Sequence, residues 1–267
     1  MRQIASAVVI SFVLVLLAGV PVTAQQVGTS DTKKSEAEAI AVLKRMSALL
    51  AQAKGFSVTI EAGFDAVQES GQKIEFGETR KIVLRRPDRL RVDATKRDGS
   101  QDGLVFDGKE ITVFLSKENV FATAAKPGSI DQAVAFLVND LDVRVPLAEL
   151  LKSDLNKTLP ERVRSAGYVE QSSIGGVPCD HVAMRGDDVD VQLWVARDKQ
   201  ALPRRIVITY KREDGRPQFW AQFNDWNLSP QAPDSLFVYK PAKDASKIAF
   251  SPRQTLQPGN EAPKGAK

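Results

Sequence analysis

From Phe56 onward the sequence alternates between apolar and polar residues, and this period of two limits the possible folds more than any other feature. In the stretch FSVTIEAGFDA (56–66), every second residue from Phe56 to Ala66 is apolar. A β-strand with one buried and one solvated face has this pattern. The alternation returns between turn signals of the Ser-Gly, Pro-Asp and Asp-Gly types. We therefore expect about ten strands, near 56–66, 72–86, 90–94, 104–106, 110–115, 119–123, 167–174, 177–185, 189–196, 203–212 and 216–227.

Two regions carry helical patterns instead. Ser35 and Glu38 form an S-x-x-E capping box, which predicts a helix from Ser35 to about Lys54. In the middle of the chain, SIDQAVAFLVNDL from Ser129 and PLAELLKSDL from Pro146 predict a helical insertion between two groups of strands. The expected fold class is therefore α+β, mainly antiparallel β, with one large sheet and helices on one of its faces.

Both ends of the chain are expected to lie outside this domain. Residues 1–24 begin with a positive charge, continue with an apolar run and end in VTA, the order of a signal peptide cleaved after Ala24. An uncleaved membrane anchor is the alternative. Residues 25–34 are polar and residues 241–267 are rich in proline and lysine, so we expect a flexible segment and a disordered tail on either side of one domain at 35–240. The predicted location is the periplasm.

The composition argues against several functional classes. The net charge is +4, from 37 basic and 33 acidic side chains, which is too small for a nucleic-acid-binding surface. A single cysteine, Cys179, excludes an intramolecular disulfide. The single histidine, His181, lies two residues further along the same strand, at a Cα distance of about 7 Å that is too long for a catalytic Cys–His pair. We predict no catalytic residue, no cofactor and no metal site; the acidic run at Asp187, Asp188 and Asp190 is typical of a turn.

The stretch LRRPDRLRV (84–92) places four arginines around a proline turn. Three of them have outward parity and are expected to face solvent: Arg85, Arg89 and Arg91. Arg86 shares the parity of the apolar residues in its strand, and an arginine at the rim of an apolar face needs a partner. Glu78 and Arg80 have the same apolar parity in mid-strand, which indicates a face that is not fully closed. A β-bulge that reverses the parity is the alternative.

The runs RRPDRLRVD and LVFDGKEITVF, followed by LPRRIVITYK and FNDWNLSPQAPDSLFVYKP, resemble the LolA-like periplasmic lipoprotein-carrier superfamily. The resemblance covers most of residues 36–250 and is nearest to a branch of predicted secreted bacterial proteins of unknown function. It implies an unclosed half-barrel of β-strands, curled around a hydrophobic cavity and covered by a helical lid. It also implies that the arginine before the proline, here Arg86, latches that lid.

Two functional hypotheses follow. The first is a soluble, monomeric, non-enzymatic carrier or binding protein for a lipid or a lipoprotein acyl chain, with at most transient membrane contact and no nucleic-acid partner. The expected cavity residues are Phe56, Ile60, Phe64, Phe76, Ile82, Leu84, Leu90 and Val92. The expected lid residues are Leu137, Leu141, Leu150 and Leu151. The second hypothesis is an interaction or sensor module that offers the same fold to envelope proteins or lipoproteins. An open apolar cavity would favour the carrier, and exposure of Trp220 and Trp226 on the outer face would favour the module.

Overall fold

The computed structural model describes residues 29–140 and 146–250, and one sheet of twelve strands extends through them. The strands of the first group are β1 Gly55–Val67, β2 Lys73–Arg85, β3 Arg89–Lys96, β4 Gln101–Phe106, β5 Glu110–Leu115 and β6 Val120–Ala125. The strands of the second group are β7 Ser165–Ile174, β8 Val177–Arg185, β9 Val189–Ala196, β10 Pro203–Tyr210, β11 Gln218–Asn227 and the short β12 Ser246–Lys247. The helices are α1 Thr29–Gln52, α2 Ile130–Ala135 and α3 Leu155–Arg162.

The strands follow the order β12-β6-β5-β4-β3-β2-β1-β11-β10-β9-β8-β7. Apart from the parallel pair of β12 with β6, the strand pairs of the described chain are antiparallel. Strand β1 joins the two groups, because it pairs with β2 on one side and with β11 on the other. Since β12 and β7 end the order without pairing to each other, the sheet is unclosed. The predicted fold class, a mainly antiparallel half-barrel with helices, is confirmed.

One face of the sheet, here called the inner face, packs against α1. Alternate residues of β1, including Phe56, Val58 and Ile60, are buried on this face, as the period of two predicts. On α1 the buried stripe includes Met46 and Leu50, which belong to the same core cluster. Each such side chain contributes about 1.5–3 kcal/mol when it leaves water, so packing rather than helix propensity holds α1 in place.

The predicted capping box at Ser35 is wrong, because α1 begins earlier, at Thr29, and Ser35 lies inside the helix. The Ser35 hydroxyl has another role. It accepts a hydrogen bond from the Tyr168 amide N–H over 3.0 Å and donates one to the Tyr168 carbonyl over 3.1 Å. Strand β7 is an edge strand, so its outward backbone groups need such partners. Residues 29–34, which were expected to be flexible, are helical.

Asp180 of β8 ties α1 to the sheet. Its carboxylate is largely buried and accepts hydrogen bonds from Arg45 Nη2 of α1 and from the Tyr168 hydroxyl of β7, each over 3.0 Å. Arg197 Nε lies 3.3 Å from the same carboxylate. Burial, together with the Asp180 carboxylate, raises the pKa of Tyr168. These charge-assisted contacts fix the position of α1 along the inner face.

The helical insertion (residues 130–140 and 146–162) consists of short pieces. Ser129 caps α2 in a capping box with Gln132, so the predicted start of this helix is correct. A π-helical turn at Phe136–Asp140, a 3-10 turn at Ala148–Leu151 and α3 follow. Segments of this length are not stable helices on their own, so their stability depends on packing against the core.

Residues 228–250 are here called the C-terminal strap, and its residues 232–239 cross the opposite, outer face of the sheet. Phe237 is 1 % exposed and packs against Val83 and Val105. Further along, β12 pairs with the edge of β6. Residues 241–250 therefore differ from the disordered tail expected there, because β12 pairs with β6 and the Ile248 amide N–H donates to the Phe121 carbonyl. The predicted signal peptide and residues 251–267 lie outside the described residues.

The outward arginines contact this strap and are partly exposed to solvent. Arg85 Nη1 donates to the Ala232 carbonyl over 2.7 Å, and Arg91 Nη1 donates to the Leu236 carbonyl over 3.1 Å. Arg85 also forms an ion pair with Asp234, and Arg89 lies 3.9 Å from the same carboxylate. The predicted outward direction of these side chains was correct, but they are only partly exposed to solvent because the strap covers part of that face.

Within the described part of the chain, no helix is both long enough and apolar enough to cross a membrane.

Candidate functional site

The residues predicted to line a cavity lie on the inner face of β1, β2 and β3, where core side chains cover most of them. Five are buried, namely Phe56, Ile60, Ile82, Leu84 and Leu90. They belong to one packed cluster with Met46 of α1 and Leu137 of the helical insertion. The protein's own side chains occupy the space in which a ligand was expected.

A small cleft lies between α1 and α3. It is lined by apolar residues that include Leu43, Leu159 and Val163, and its interior measures about 10 Å³. A single water molecule requires roughly this volume, whereas pockets for drug-sized ligands measure roughly 300–1,000 Å³. An acyl chain therefore needs a more open arrangement of the helices than this one.

The three other predicted cavity residues are less buried than these five. Phe64 and Val92 are partly buried, and Phe76 is 44 % exposed. The rings of Phe64 and Phe76 stack with centroids 5.8 Å apart, and Ile74, which is 40 % exposed, is the next residue of the same parity. These side chains form an exposed apolar rim (Phe64, Phe76 and Ile74) that continues from the buried core.

The predicted lid residues lie in the helical insertion and differ in burial. Leu137 and Leu151 are buried against the main core, and Leu150 is partly buried there. Leu141 lies outside the described residues. Three of the four predicted lid residues therefore contact the core cluster. A ligand on the inner face would have to separate these contacts.

Arg86 joins α1 to the helical insertion. Its guanidinium donates from Nε to the Ala53 carbonyl over 3.2 Å and from Nη2 to the Leu50 carbonyl over 3.3 Å, at the end of α1. Its Nη1 atom lies 3.9 Å from Asp131 Oδ1 in α2. Burial lowers the pKa of Arg86, and the charge of Asp131 acts in the opposite direction. Arg86 therefore links the end of α1 to the first helix of the insertion.

Asp131 has a second partner inside the insertion. Its Oδ1 atom accepts from the Ser153 amide N–H over 2.9 Å, and the Ser153 hydroxyl bonds to its other oxygen. One carboxylate therefore links Arg86, α2 and the segment before α3. Loss of the Arg86 contact would release the Asp131 carboxylate, which also holds the second half of the insertion through Ser153.

Four charged side chains lie on the inner face beside the apolar rim. Glu78 pairs with Arg80 along β2, and Lys96 Nζ of β3 lies 2.6 Å from Asp102 Oδ2 of β4. The register from β1 to β2 and from β2 to β3 is uninterrupted here, so the predicted inward direction of Glu78 and Arg80 is correct and the alternative of a bulge is excluded. We call Glu78, Arg80, Lys96 and Asp102 the rim cluster. Sequence reasoning found two of its members and missed Lys96 and Asp102.

The tryptophans do not share one face. Trp220 lies on the outer face, where its ring covers Gly63 and its indole N–H donates to Glu75 over 3.1 Å. Trp226 turns inward instead, and its ring packs edge-on against Phe56 with centroids 5.4 Å apart. The two residues have the same parity in the sequence but lie on different faces, because Asp225 adopts a φ of 52° and the register of β1 with β11 shifts in this region.

The outer face carries a row of stacked aromatic and cationic groups. The rings of His181 and Trp194 stack with centroids 4.0 Å apart. The Arg205 guanidinium follows, 5.9 Å from the Trp194 ring and 5.2 Å from the Trp220 ring. Such cation–π contacts stabilise the surface of a sheet, and Trp194 and Trp220 remain partly exposed there.

Cys179 and His181 have separate partners. The Cys179 thiol is buried and lies 3.2 Å from the Val177 carbonyl, whereas His181 Nε2 lies 3.2 Å from Gln192 Oε1. Burial raises the pKa of the Cys179 thiol. Neither feature activates a nucleophile, since a reactive cysteine needs a lowered pKa and a base within reach.

His181 should make the stability of the protein depend on pH. Burial lowers the pKa of His181 from 6.5, and it outweighs Gln192 and Glu170, whose carboxylate lies 3.9 Å from Nδ1 and which both act in the opposite direction. The unfolded chain therefore takes up the proton first, so stability is complete above about pH 6.5 and decreases as the pH falls below it. The melting temperature of the wild type should fall between about pH 7 and about pH 5.5. His181→Gln should flatten this dependence, since the chain has one histidine; an unchanged slope in the variant would contradict the assignment.

The acidic residues of the β8–β9 turn are paired with cations. Asp187 contacts Arg164, Asp188 lies 2.7 Å from Arg212 Nε, and Asp190 lies 3.0 Å from Lys211 Nζ. In the described ranges no group of three or more metal-binding side chains comes together.

Several solved structures resemble this chain. No curated protein matches the chain. Among solved structures, it is similar to the lipoprotein LppX of Mycobacterium tuberculosis, with 14 % identity over 74 % of this chain and 99 % of that one and a TM-score of 0.48. It is also similar to a LolA superfamily protein of Nitrosomonas europaea, with 14 % identity over 75 % and 97 % of the two chains and a TM-score of 0.39. The MucA/MucB complex of Pseudomonas aeruginosa matches with 17 % identity over 76 % and 61 % and a TM-score of 0.41. At these scores the likenesses establish neither a ligand nor a partner.

A family model described as predicted periplasmic protein matches residues 39–251. The match agrees with the resemblance to a branch of secreted bacterial proteins, and it confirms the predicted periplasmic location. Since the matched range is most of the sequence, the chain belongs to the family of predicted periplasmic proteins DUF2092.

Proposed function

We propose that the protein is a non-enzymatic periplasmic carrier or binding protein for a hydrophobic ligand, a lipid or a lipoprotein acyl chain. The observation that carries this proposal is the continuity of the apolar inner face with the exposed rim of Phe64, Phe76 and Ile74. Exposed apolar surface that leads directly into a core is unusual for a protein without a hydrophobic partner. The rim is where an acyl chain would first make contact.

The ligand would enter by displacing the helical insertion from the inner face. The insertion is made of short segments, and polar contacts at Arg86 and Asp131 hold its first part. Leu137, Leu150 and Leu151 would then exchange contacts with core residues for contacts with the ligand. Because apolar surface replaces apolar surface, this exchange costs little hydrophobic free energy.

The binding energy available is sufficient for this mechanism. Burial of an acyl chain is worth about 0.8 kcal/mol per methylene, so a C16 chain supplies roughly 10 kcal/mol before ordering costs. This exceeds the roughly 1.5–3 kcal/mol that hydrogen bonds of a charged group such as Arg86 contribute. A lipid can therefore open the insertion without any catalytic group.

The test is mass spectrometry of lipids extracted from the protein after purification from the periplasm without detergent. We expect a stoichiometric lipid in the wild type and markedly less in Phe76→Ser, which makes the rim polar. Val169→Ser is the matched control, because Val169 is 51 % exposed on β7 and does not belong to the rim. An empty wild type that also fails to take up a fluorescent fatty acid would refute the carrier.

The second candidate is an interaction or sensor module for envelope proteins or lipoproteins. The observation that favours it is the filled interior, together with the outer-face row of Trp194, Arg205 and Trp220. Tryptophan and arginine are the residues that most often dominate protein interfaces. An empty protein in the lipid experiment would leave this candidate ahead.

A further inference from the structure

The rim cluster contains a carboxylate oxygen that lacks a hydrogen-bond donor. Asp102 Oδ2 is held by Lys96 Nζ at 2.6 Å, whereas Oδ1 is buried and has no hydrogen-bond partner in the described structure. The Asp102 side chain is only 8 % exposed. An ionised carboxylate only accepts hydrogen bonds, and a buried acceptor without a donor is unfavourable. This position therefore calls for a donor from outside the chain.

The surroundings of Asp102 suit an amphiphile. Ala94 lies opposite both Asp102 and Arg80 in the sheet, so a short side chain separates the two charged groups. Leu104, two residues beyond Asp102 on the same face, is part of the buried core. On the other side of the cluster, Phe76 of the apolar rim lies two residues before Glu78 on β2. A polar site thus lies between two apolar surfaces.

The local charge selects the kind of head group. The cluster has two cations and two acids, and Glu118 adds a further negative charge that acts on Lys96 together with Glu78 and Asp102. The balance is one excess negative charge, which disfavours an anionic head group and favours a positively charged donor. A primary ammonium provides both the charge and the N–H groups that Asp102 Oδ1 lacks.

We propose that the rim cluster is the head-group site of the carrier, in which Asp102 Oδ1 accepts a hydrogen bond from the primary ammonium of a zwitterionic phospholipid. The acyl chains lie over the apolar rim and the inner face. This inference rests on the proposed function and adds to it the class of ligand.

The test is a competition for three phospholipids with identical dioleoyl chains. The full mature protein is incubated with vesicles of equimolar phosphatidylethanolamine, phosphatidylcholine and phosphatidylglycerol, separated from them, and its bound lipids are counted by mass spectrometry. Phosphatidylcholine carries the positive charge without N–H donors, and phosphatidylglycerol carries a net negative charge. We expect the wild type to prefer phosphatidylethanolamine over phosphatidylcholine by about tenfold, the value of one charge-assisted hydrogen bond.

Two variants complete the design. Asp102→Asn should bring the ratio of bound phosphatidylethanolamine to bound phosphatidylcholine close to one. Asp98→Asn lies in the exposed turn of the same β3–β4 hairpin and should keep the wild-type ratio. A wild-type ratio near one, or an excess of phosphatidylglycerol, would overturn the head-group site and leave the carrier function standing. A wild type that takes up none of the three would overturn both, and neither result depends on how well Asp102→Asn folds.

Discussion

Replacement of Phe237 by alanine is expected to lower the free energy of unfolding by about 3–5 kcal/mol. Phe237 is the buried anchor of the C-terminal strap and packs against Val83 and Val105 on the outer face. The Arg85 guanidinium lies 5.4 Å from its ring, so the substitution also removes a cation–π contact. Loss of the Phe237 ring leaves a cavity between the strap and the sheet, which the strap can close only in part.

Urea unfolding followed by circular dichroism measures this effect. Val238→Ala is the control, because the neighbouring side chain is 50 % exposed and its truncation should change the free energy by less than about 0.5 kcal/mol. Equal, small effects in the two variants would mean that the strap does not depend on Phe237. The arginines alone would then hold it.

The strands were predictable because β1 and β2 pair without interruption from Gly55–Arg85 to Val67–Lys73. In an uninterrupted pair, parity decides which face each side chain occupies, so the inward positions of Glu78, Arg80 and Arg86 followed from the sequence alone. The position of Trp226 did not follow from the sequence, because the positive φ of Asp225 changes the parity of the residues after Asp225. Aspartate tolerates this conformation, and nothing in the run FNDWN (223–227) distinguishes a bulge from a regular strand.

The strap was missed for a different reason. Residues 228–240 have neither a period of two nor a helical period, and their partners are far away in sequence, as Arg85 is from Ala232. Contacts of this kind leave no local pattern. The strap is visible in the sequence only as arginines of outward parity, which a solvated surface explains equally well.

The filled interior could not be predicted either. Apolar parity shows that Phe56, Ile60 and Leu84 face away from water, but it is the same whether a lipid or a helix covers them. In the structure Met46 and Leu50 of α1 cover this face. The sequence therefore predicted which residues of the candidate site share one face, but it did not predict that α1 covers them.

The adjacent arginines Arg85 and Arg86 offer a direct test of the latch. Arg86→Leu removes two hydrogen bonds to the end of α1 and the contact with Asp131, a loss of roughly 1.5–3 kcal/mol. Amide hydrogen exchange should become roughly 10- to 100-fold faster in residues 130–140 and 146–162, since each 1.4 kcal/mol is about a factor of ten. Residues 232–237 of the strap should keep their wild-type rates. Exchange is measured by mass spectrometry of peptides from both regions.

Arg85→Leu is the matched control, because it removes the same type of side chain one position away on the opposite face. It should accelerate exchange in the strap, which loses the bonds to Ala232 and Asp234, and leave the helical insertion unchanged. If both variants loosened both regions, the turn would act as one structural unit and Arg86 would not be a latch. If Arg86→Leu alone loosened the insertion and also exchanged a bound lipid faster, opening of the insertion would be the step that limits ligand release, because the substitution alters no residue of the rim.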